Sequence, residues 1–337
     1  MATTKTHPMG IVTIGVVLAT VGAWSFQQDR AAFRDKPDVT RADVERWKQN
    51  LTNWGRWGPD DEIGTLNLIT SEKRKHAAAL VQDGISVSLA RDAETEEAID
   101  NPRPYRVIPL GITADEIRVS YHGFIHTHLD FLNHNFIGDG VTYNGYTPDP
   151  TVVAEEGSHS RNTVRNAKHG IVTRGILIDM PRFKNVPYLE PGTPIYIEDL
   201  EAWEAETGLT VSPGDAVFIR TGRWTRRAAV GLWDVNNERA GLDPSVIPWL
   251  KERDVAILGS DSMHDAMPLP DGDEIDSPFA LHDFVLIMLG VHLFDNVNLE
   301  EVGDAAAERS RWEFLLTAAP LRFRTATGSP LNPIAVF

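Results

Sequence analysis

An α/β fold built on a mixed sheet is predicted by three features of this 337-residue sequence. Residues 171–181, 214–224 and 255–262 each carry a continuous apolar run, the pattern of a strand buried on both faces. Helix-patterned segments separate these runs, as they do where strands of a layered sheet are joined. Apolar residues make up 42% of the chain and charged residues 24%, an ordinary globular balance that can fill a large core. No internal repeat or low-complexity segment interrupts the chain after Thr40, so one catalytic domain over residues 41–337 is expected.

Residues 1–26 read separately from that domain. The stretch MGIVTIGVVLATVGAWSF at 9–26 is nearly all apolar and follows Lys5. It is short for a membrane span, which needs about 20 residues, and Val21-Gly22-Ala23 fits a small-residue cleavage pattern. The expectation is an export signal or an uncleaved membrane anchor, with the rest of the chain outside the cytoplasm. Residues 27–40 are polar and charged, and read as a linker.

A helix follows from Thr40, its cap, with Val44 and Trp47 on one face. Residues 53–70 are rich in Gly and Trp around a Pro-Asp-Asp turn. Trp54 and Trp57 flank Arg56 there, as a lid, a pocket wall or ordinary packing. Residues 71–84 form a second helix, capped by Ser71 and stopped by Gly84. Residues 85–90 alternate as a strand, and 91–109 are an acidic, proline-bearing loop. Turns fill 136–150, and the polar 155–167 reads as a mobile or substrate-covering loop. Helices are expected over 197–208, ended by Gly208, and over 244–254, with Pro248 near the first turn. Residues 277–302 read as helix, glycine break, then strand or turn, and 312–323 supply another strand.

The stretch YHGFIHTHLDFLNHN at 121–135 carries the chemistry. It holds His122, His126, His128 and His134, four of the chain's eleven histidines, together with Asp130. The β-branched lead-in at 117–121 favours an extended strand, in which even-numbered residues share one face. His126, His128 and Asp130 would then converge on one metal ion, since His-x-His with a nearby carboxylate is a workable ligand set. Val119, Ile125 and Leu129 would face the core.

Composition excludes several function classes. The net charge of −16 repels phosphate backbones, so nucleic acid is not an expected partner. Without cysteine there is no disulfide, thiolate nucleophile or Cys-type zinc site. A metal would be held by His and carboxylates, which suits zinc or manganese. There is no Gly-x-Ser-x-Gly elbow and no phosphate-cradling Gly loop. Ser158-His159-Ser160 reads as a solvated run. The acidic residues 261–276, with His264, read as a solvated loop rather than a pocket wall or cation site. His169 and His292 read as structural.

These residues resemble the metal-dependent cyclase-like hydrolases, the family of bacterial kynurenine formamidase and isatin hydrolase. The family pattern runs His, three residues, His, one residue, Asp, three residues, His. THLDFLNH at 127–134 matches its second His, its Asp and its last His. The segments NWGRWGPDDEIGTLNLIT, PGDAVFIRTG and HDFVLIMLGVHLFDNVNLE extend the likeness from about Asn53 to Pro333. The resemblance implies a swivelling β/β/α fold assembled as a homodimer or homotetramer. It implies His128 and Asp130 as ligands of a divalent ion, His134 as acid/base, and His282 and Asp295 near the family's distant His and Glu ligands. The first family His falls on Phe124, leaving His126 to substitute, or His122. Leu132 stands where the family has Pro, and Asp295 is one residue displaced from the distant Glu. The expected activity is hydrolysis of a small amide, formamide or lactam by metal-activated water. The rival reading is a decayed, metal-poor protein that binds a small molecule without turning it over.

Overall fold

The computed structural model describes residue 1 and residues 39–147, 161–268 and 280–337. The chain divides into two compact units, Met1–Asp38 and Val39–Phe337, and only the second is described below. The expected signal or anchor, Ser158-His159-Ser160 and most of the acidic loop after Pro268 lie outside the described residues. Among the described residues, no helix is long and apolar enough to cross a membrane.

Nine strands form the main sheet: β1 (Ser86–Ser88), β4 (His128–Asp130), β5 (Ile171–Asp179), β7 (Ala216–Arg220), β9 (Ile257–Ser260), β10 (His292–Asp295), β11 (Glu313–Ala318), β12 (Gly328–Pro330) and β13 (Ile334–Val336). Their order is β1-β13-β11-β5-β7-β9-β10-β4-β12. The centre, β5-β7-β9-β10, is parallel and every other pair is antiparallel, which makes the sheet mixed. Ile176, Leu177, Ile178 and the whole of β7 are buried, so these strands are apolar on both faces, as parallel strands covered by helices must be. Two short pairs stand apart: β2 (Arg106–Pro109) with β3 (Asp115–Arg118), and β6 (Pro194–Ile195) with β8 (Gly241–Leu242).

The helices are α1 (Arg41–Asn50), α2 (Ser71–Ala79), α3 (Met180–Phe183), α4 (Ile197–Thr207), α5 (Arg223–Val230), α6 (Ile247–Glu252), α7 (Ala280–Phe284) and α8 (Glu300–Arg309). A capping box closes the start of α1, where Thr40 and Asp43 satisfy each other's backbone N–H. Gly208 ends α4 in the left-handed region at φ 71°. For α2 the cap is Thr70, not Ser71: its hydroxyl accepts from the Lys73 N–H at 3.1 Å, and Ser71 is already helical. That helix ends at Ala79, well before Gly84.

Helix α7 runs into a π-helical turn, Val285–Leu289, before Gly290 turns the chain into β10. Gly290 has φ 66°, and a Cβ there would meet the Tyr143 ring at 2.4 Å. The turn's carbonyls are satisfied from residues 53 and 54. Met288 O accepts from Asn53 N (2.9 Å), Leu289 O from Asn53 Nδ2 (2.8 Å) and Ile287 O from Trp54 Nε1 (2.7 Å). Trp54 is thereby a clamp on this turn, while Trp57 lies under the Arg56 guanidinium at 4.8 Å.

The long strand expected through residues 117–130 is not formed. β3 ends at Arg118 and β4 begins only at His128, with turns between. The carbonyls of that stretch are taken by side chains instead of a ladder: Asn296 Nδ2 donates to Gly123 O (2.7 Å) and His126 O (3.3 Å), and Arg223 donates to Phe124 O.

Candidate metal centre

Register builds the site. β4 lies between β10 and β12, with His128 directly opposite Asp295 and Asp130 opposite Gly328. Directly opposed residues share a face, so His128 and Asp130 project with Asp295 while Leu129 and Phe294 face the core, both fully buried. His282 comes from α7 and His264 from the segment after β9.

Asp130 is the hub. Its Oδ1 lies 2.7 Å from His122 Nδ1 and 3.3 Å from His128 Nε2; its Oδ2 lies 3.3 Å from His282 Nε2 and 3.4 Å from His134 Nε2. Asp295 Oδ2 is 3.9 Å from both His128 Nε2 and His282 Nε2, and its Oδ1 is 2.9 Å from His264 Nε2. The His122 and His134 rings stack at 3.8 Å, 8° from parallel. One side of the cluster is open: the side chains of His122 and His134 are 27% and 23% exposed, against 2% or less for His128, Asp130, His282 and Asp295.

The electrostatics mark a position that demands positive charge. Burial opposes the charged form of His128, yet Asp130 outweighs it and, with Asp295, lifts the imidazole to about 9. His282 is likewise raised against burial, by Asp130, Asp283 and Asp295. Asp130 is held well below the usual carboxylate range, His134 and His128 overcoming its burial. His134 goes the other way: burial pushes it down to about 4, so its imidazole is neutral at pH 7.

The donor set fits a divalent cation. Asp130 Oδ1 and His122 Nδ1, 2.7 Å apart, and His282 Nε2, 3.3 Å from Asp130 Oδ2, are buried and face one another without well-aligned hydrogen bonds, a costly arrangement that a shared cation would relieve. His128 Nδ1 faces the His126 carbonyl at 2.7 Å and must donate to it, so the neutral ring that a bound cation would favour presents its Nε2 lone pair toward the carboxylates, as in a metal-ligating histidine. Two triads have donor atoms within 4.8 Å of one another and share Asp130: His122–Asp130–His134 and His128–Asp130–Asp295.

Of the residues expected from sequence, the fold brings together His128, Asp130, His134, His282 and Asp295. It does not bring in His126. That imidazole turns away, its Nε2 3.1 Å from the Arg103 carbonyl and its ring edge-on to Tyr105 at 4.5 Å. The reason is the missing strand: without an extended 121–126, even-numbered residues do not share a face. His122 stands in the cluster instead, swung in by the turn, with Nε2 2.9 Å from Thr327 Oγ1. His264 was also misread, being 1% exposed and against Asp295 rather than in a solvated loop. Its signal was its position just past the carboxyl end of a parallel strand, where sites in α/β sheets gather.

Comparison with known proteins adds the family. The profile described as "Putative cyclase" matches residues 85–264. The crystal structure of a novel cyclase is 30% identical, with TM-score 0.72, over 85% of this chain and 100% of that one. The chain belongs to the Cyclase family. This cyclase-family chain also superposes on isatin hydrolase A from Labrenzia aggregata bound to benzyl benzoate, at 19% identity and TM-score 0.52, over 77% of this chain and 94% of that one. An isatin hydrolase bound to the product analogue thioisatinate gives 17% identity and TM-score 0.50 over the same shares. These two likenesses are of fold. Among curated proteins, none gives a significant match.

Proposed function

We propose that this cyclase-family protein is a metal-dependent hydrolase of a small amide, formamide or lactam. The observation that carries the reading is the convergence of two buried carboxylates and several imidazole nitrogens on one point beside an open side. His128, Asp130, Asp295 and His282 would hold zinc or manganese. When bound, such an ion polarises a carbonyl and lowers the pKa of water from 15.7 to about 7. His134, neutral and partly exposed, takes a proton from the attacking water as its oxygen bonds the carbonyl carbon. It returns that proton to the nitrogen as the C–N bond breaks, help worth roughly 10²–10⁴-fold. His264 and Asn135 act as positioning residues, the first against Asp295 and the second 3.0 Å from His282 Nδ1. The triad His122–Asp130–His134, which shares Asp130 with the other triad, favours a second reading, in which two ions would be held and His134 would be a ligand. Export or anchoring through residues 1–26, and assembly as a homodimer or homotetramer, belong to the same proposal.

The test is metal analysis of the purified chain, with turnover of a panel of formanilides, lactams and lactones. About one zinc or manganese per chain and cleavage of a C–N substrate are expected; about two per chain favours the two-ion reading. His134→Ala should cut kcat by two orders of magnitude or more while metal content stays near one. A chain that takes up no metal on supplementation and turns over nothing would instead be the small-molecule binder.

A further inference from the structure

A polar cavity lies against Arg223, which also holds the loop that carries His122. Its floor includes Arg223, Thr221, Arg239 and Ser262, and its half-exposed mouth includes Arg226 and Trp233. Arg223 is 3% exposed, and every hydrogen bond it donates from its guanidinium ends on a neutral oxygen: the Asp261 carbonyl, the Asn296 side-chain oxygen and the Phe124 carbonyl. Its neighbours Arg220, Arg226 and Arg227 each hold a carboxylate, Glu300, Glu190 and Glu94. Among the described residues Arg223 holds none. The nearest, Asp261, spends its oxygens on Thr221 and on the N–H groups of Gly222 and Arg223. Burial accordingly pushes the Arg223 guanidinium down to about 9.

Arg223 Nε and Ser262 Oγ, both on residues that line this cavity, are buried without a hydrogen-bond partner. A water could satisfy both, but it brings no charge to a buried guanidinium whose neighbouring carboxylate, Asp261, is turned to Thr221 and to backbone N–H groups, and whose other cover is the Trp224 ring at 4.2 Å. The free space is about 10 Å³ and opens at the mouth, which restricts the occupant to a single small ion or group.

We propose that this cavity binds a small monovalent anion, a halide or a carboxylate group, between Arg223 Nε and Ser262 Oγ. Arg226 guards the entrance, with Glu190 as its alternative partner. The site is independent of the metal reading. It meets the metal centre through the Arg223 bonds to Phe124 O and Asn296, which hold the His122 loop, and through Arg239, which donates to the carbonyl of Asp265, whose carboxylate accepts from the His282 N–H.

The experiment uses the full chain with bromide and formate as probes. In crystals grown with bromide, an anomalous peak is expected between Arg223 Nε and Ser262 Oγ. Loss of that peak on adding formate assigns a carboxylate, and its persistence assigns a halide. In solution, with gluconate as the bulky counter-anion, bromide should raise the melting temperature saturably. Ser262→Ala, whose backbone bonds are untouched, should weaken that response about tenfold, the worth of one hydrogen bond to a charged partner. Asp130→Asn should leave it intact, which separates this site from anions taken up by a metal. Bromide elsewhere in the crystal with only water in the cavity, or an unchanged response in Ser262→Ala, would overturn the proposal.

Discussion

His292 and His128 sit on adjacent strands, yet the structure assigns them opposite electrostatic fates. His292 is fully buried, packed on the Phe131 ring at 4.3 Å, with Nε2 2.9 Å from the Ile63 carbonyl. Burial pushes it down to about 4, against about 6.5 in an unfolded chain. The folded value is the lower one, so the neutral form stabilises the fold above pH 6.5. That stability drains away as pH falls from 6.5 through about 4. Between pH 7.5 and pH 5 the unfolded state takes up nearly a full proton that the native state refuses, which costs about 2 kcal/mol by linkage. The perturbation is His292→Gln, whose amide can still donate to Ile63 O but does not titrate. Urea unfolding of both proteins at the two pH values, with chelator present throughout, isolates the difference. The wild type should lose about 2 kcal/mol more than the variant on acidification. Equal losses would mean that His292 is not held neutral by burial, and the reading of this histidine as structural would fail.

Three further outcomes follow from the site. His126→Ala should leave metal content near wild type, because its imidazole faces Arg103, whereas Asp130→Asn should strip it; elemental analysis of both variants decides. Gly328→Ala places a Cβ 2.1 Å from Leu129 O and 3.0 Å from His122 Cε1, so it should cost roughly 1–3 kcal/mol in denaturant unfolding and weaken metal binding in a competition titration. Chelation should lower the melting temperature of the wild type, and returning free zinc or manganese to a hundred times its Kd should restore about 2.7 kcal/mol. The same additions should not move Asp130→Asn.

Much of the fold was legible because the central strands are buried on both faces. Continuous apolar runs announced β5, β7 and β9, and Gly208 announced the end of α4 through its left-handed backbone. The pair β2–β3 was hidden because it is largely exposed, without the alternation a half-buried strand shows. Strands β12 and β13 are three residues each and owe their existence to neighbours far away in sequence. Helix α5 begins at a left-handed Gly222 without a side-chain cap, so its start carried no local signal.

The candidate site divides along the same line. His128 and Asp130 were legible because two residues of strand suffice to put them on one face. His126 was misassigned because extending that periodicity needs a ladder. Here the backbone of 123–126 is held by Asn296 and Arg223, neither visible from the local sequence. His122 enters the cluster through the turn those two side chains impose, its Nδ1 2.7 Å from Asp130 Oδ1. Asp295 needs no separate signal once β10 is paired, since the register that puts Phe294 against Leu129 in the core sets its carboxylate opposite His128. A slip of one residue would turn the donors toward the core and Leu129 or Phe294 toward the donor face. The core therefore selects the register, and the register assembles the donors.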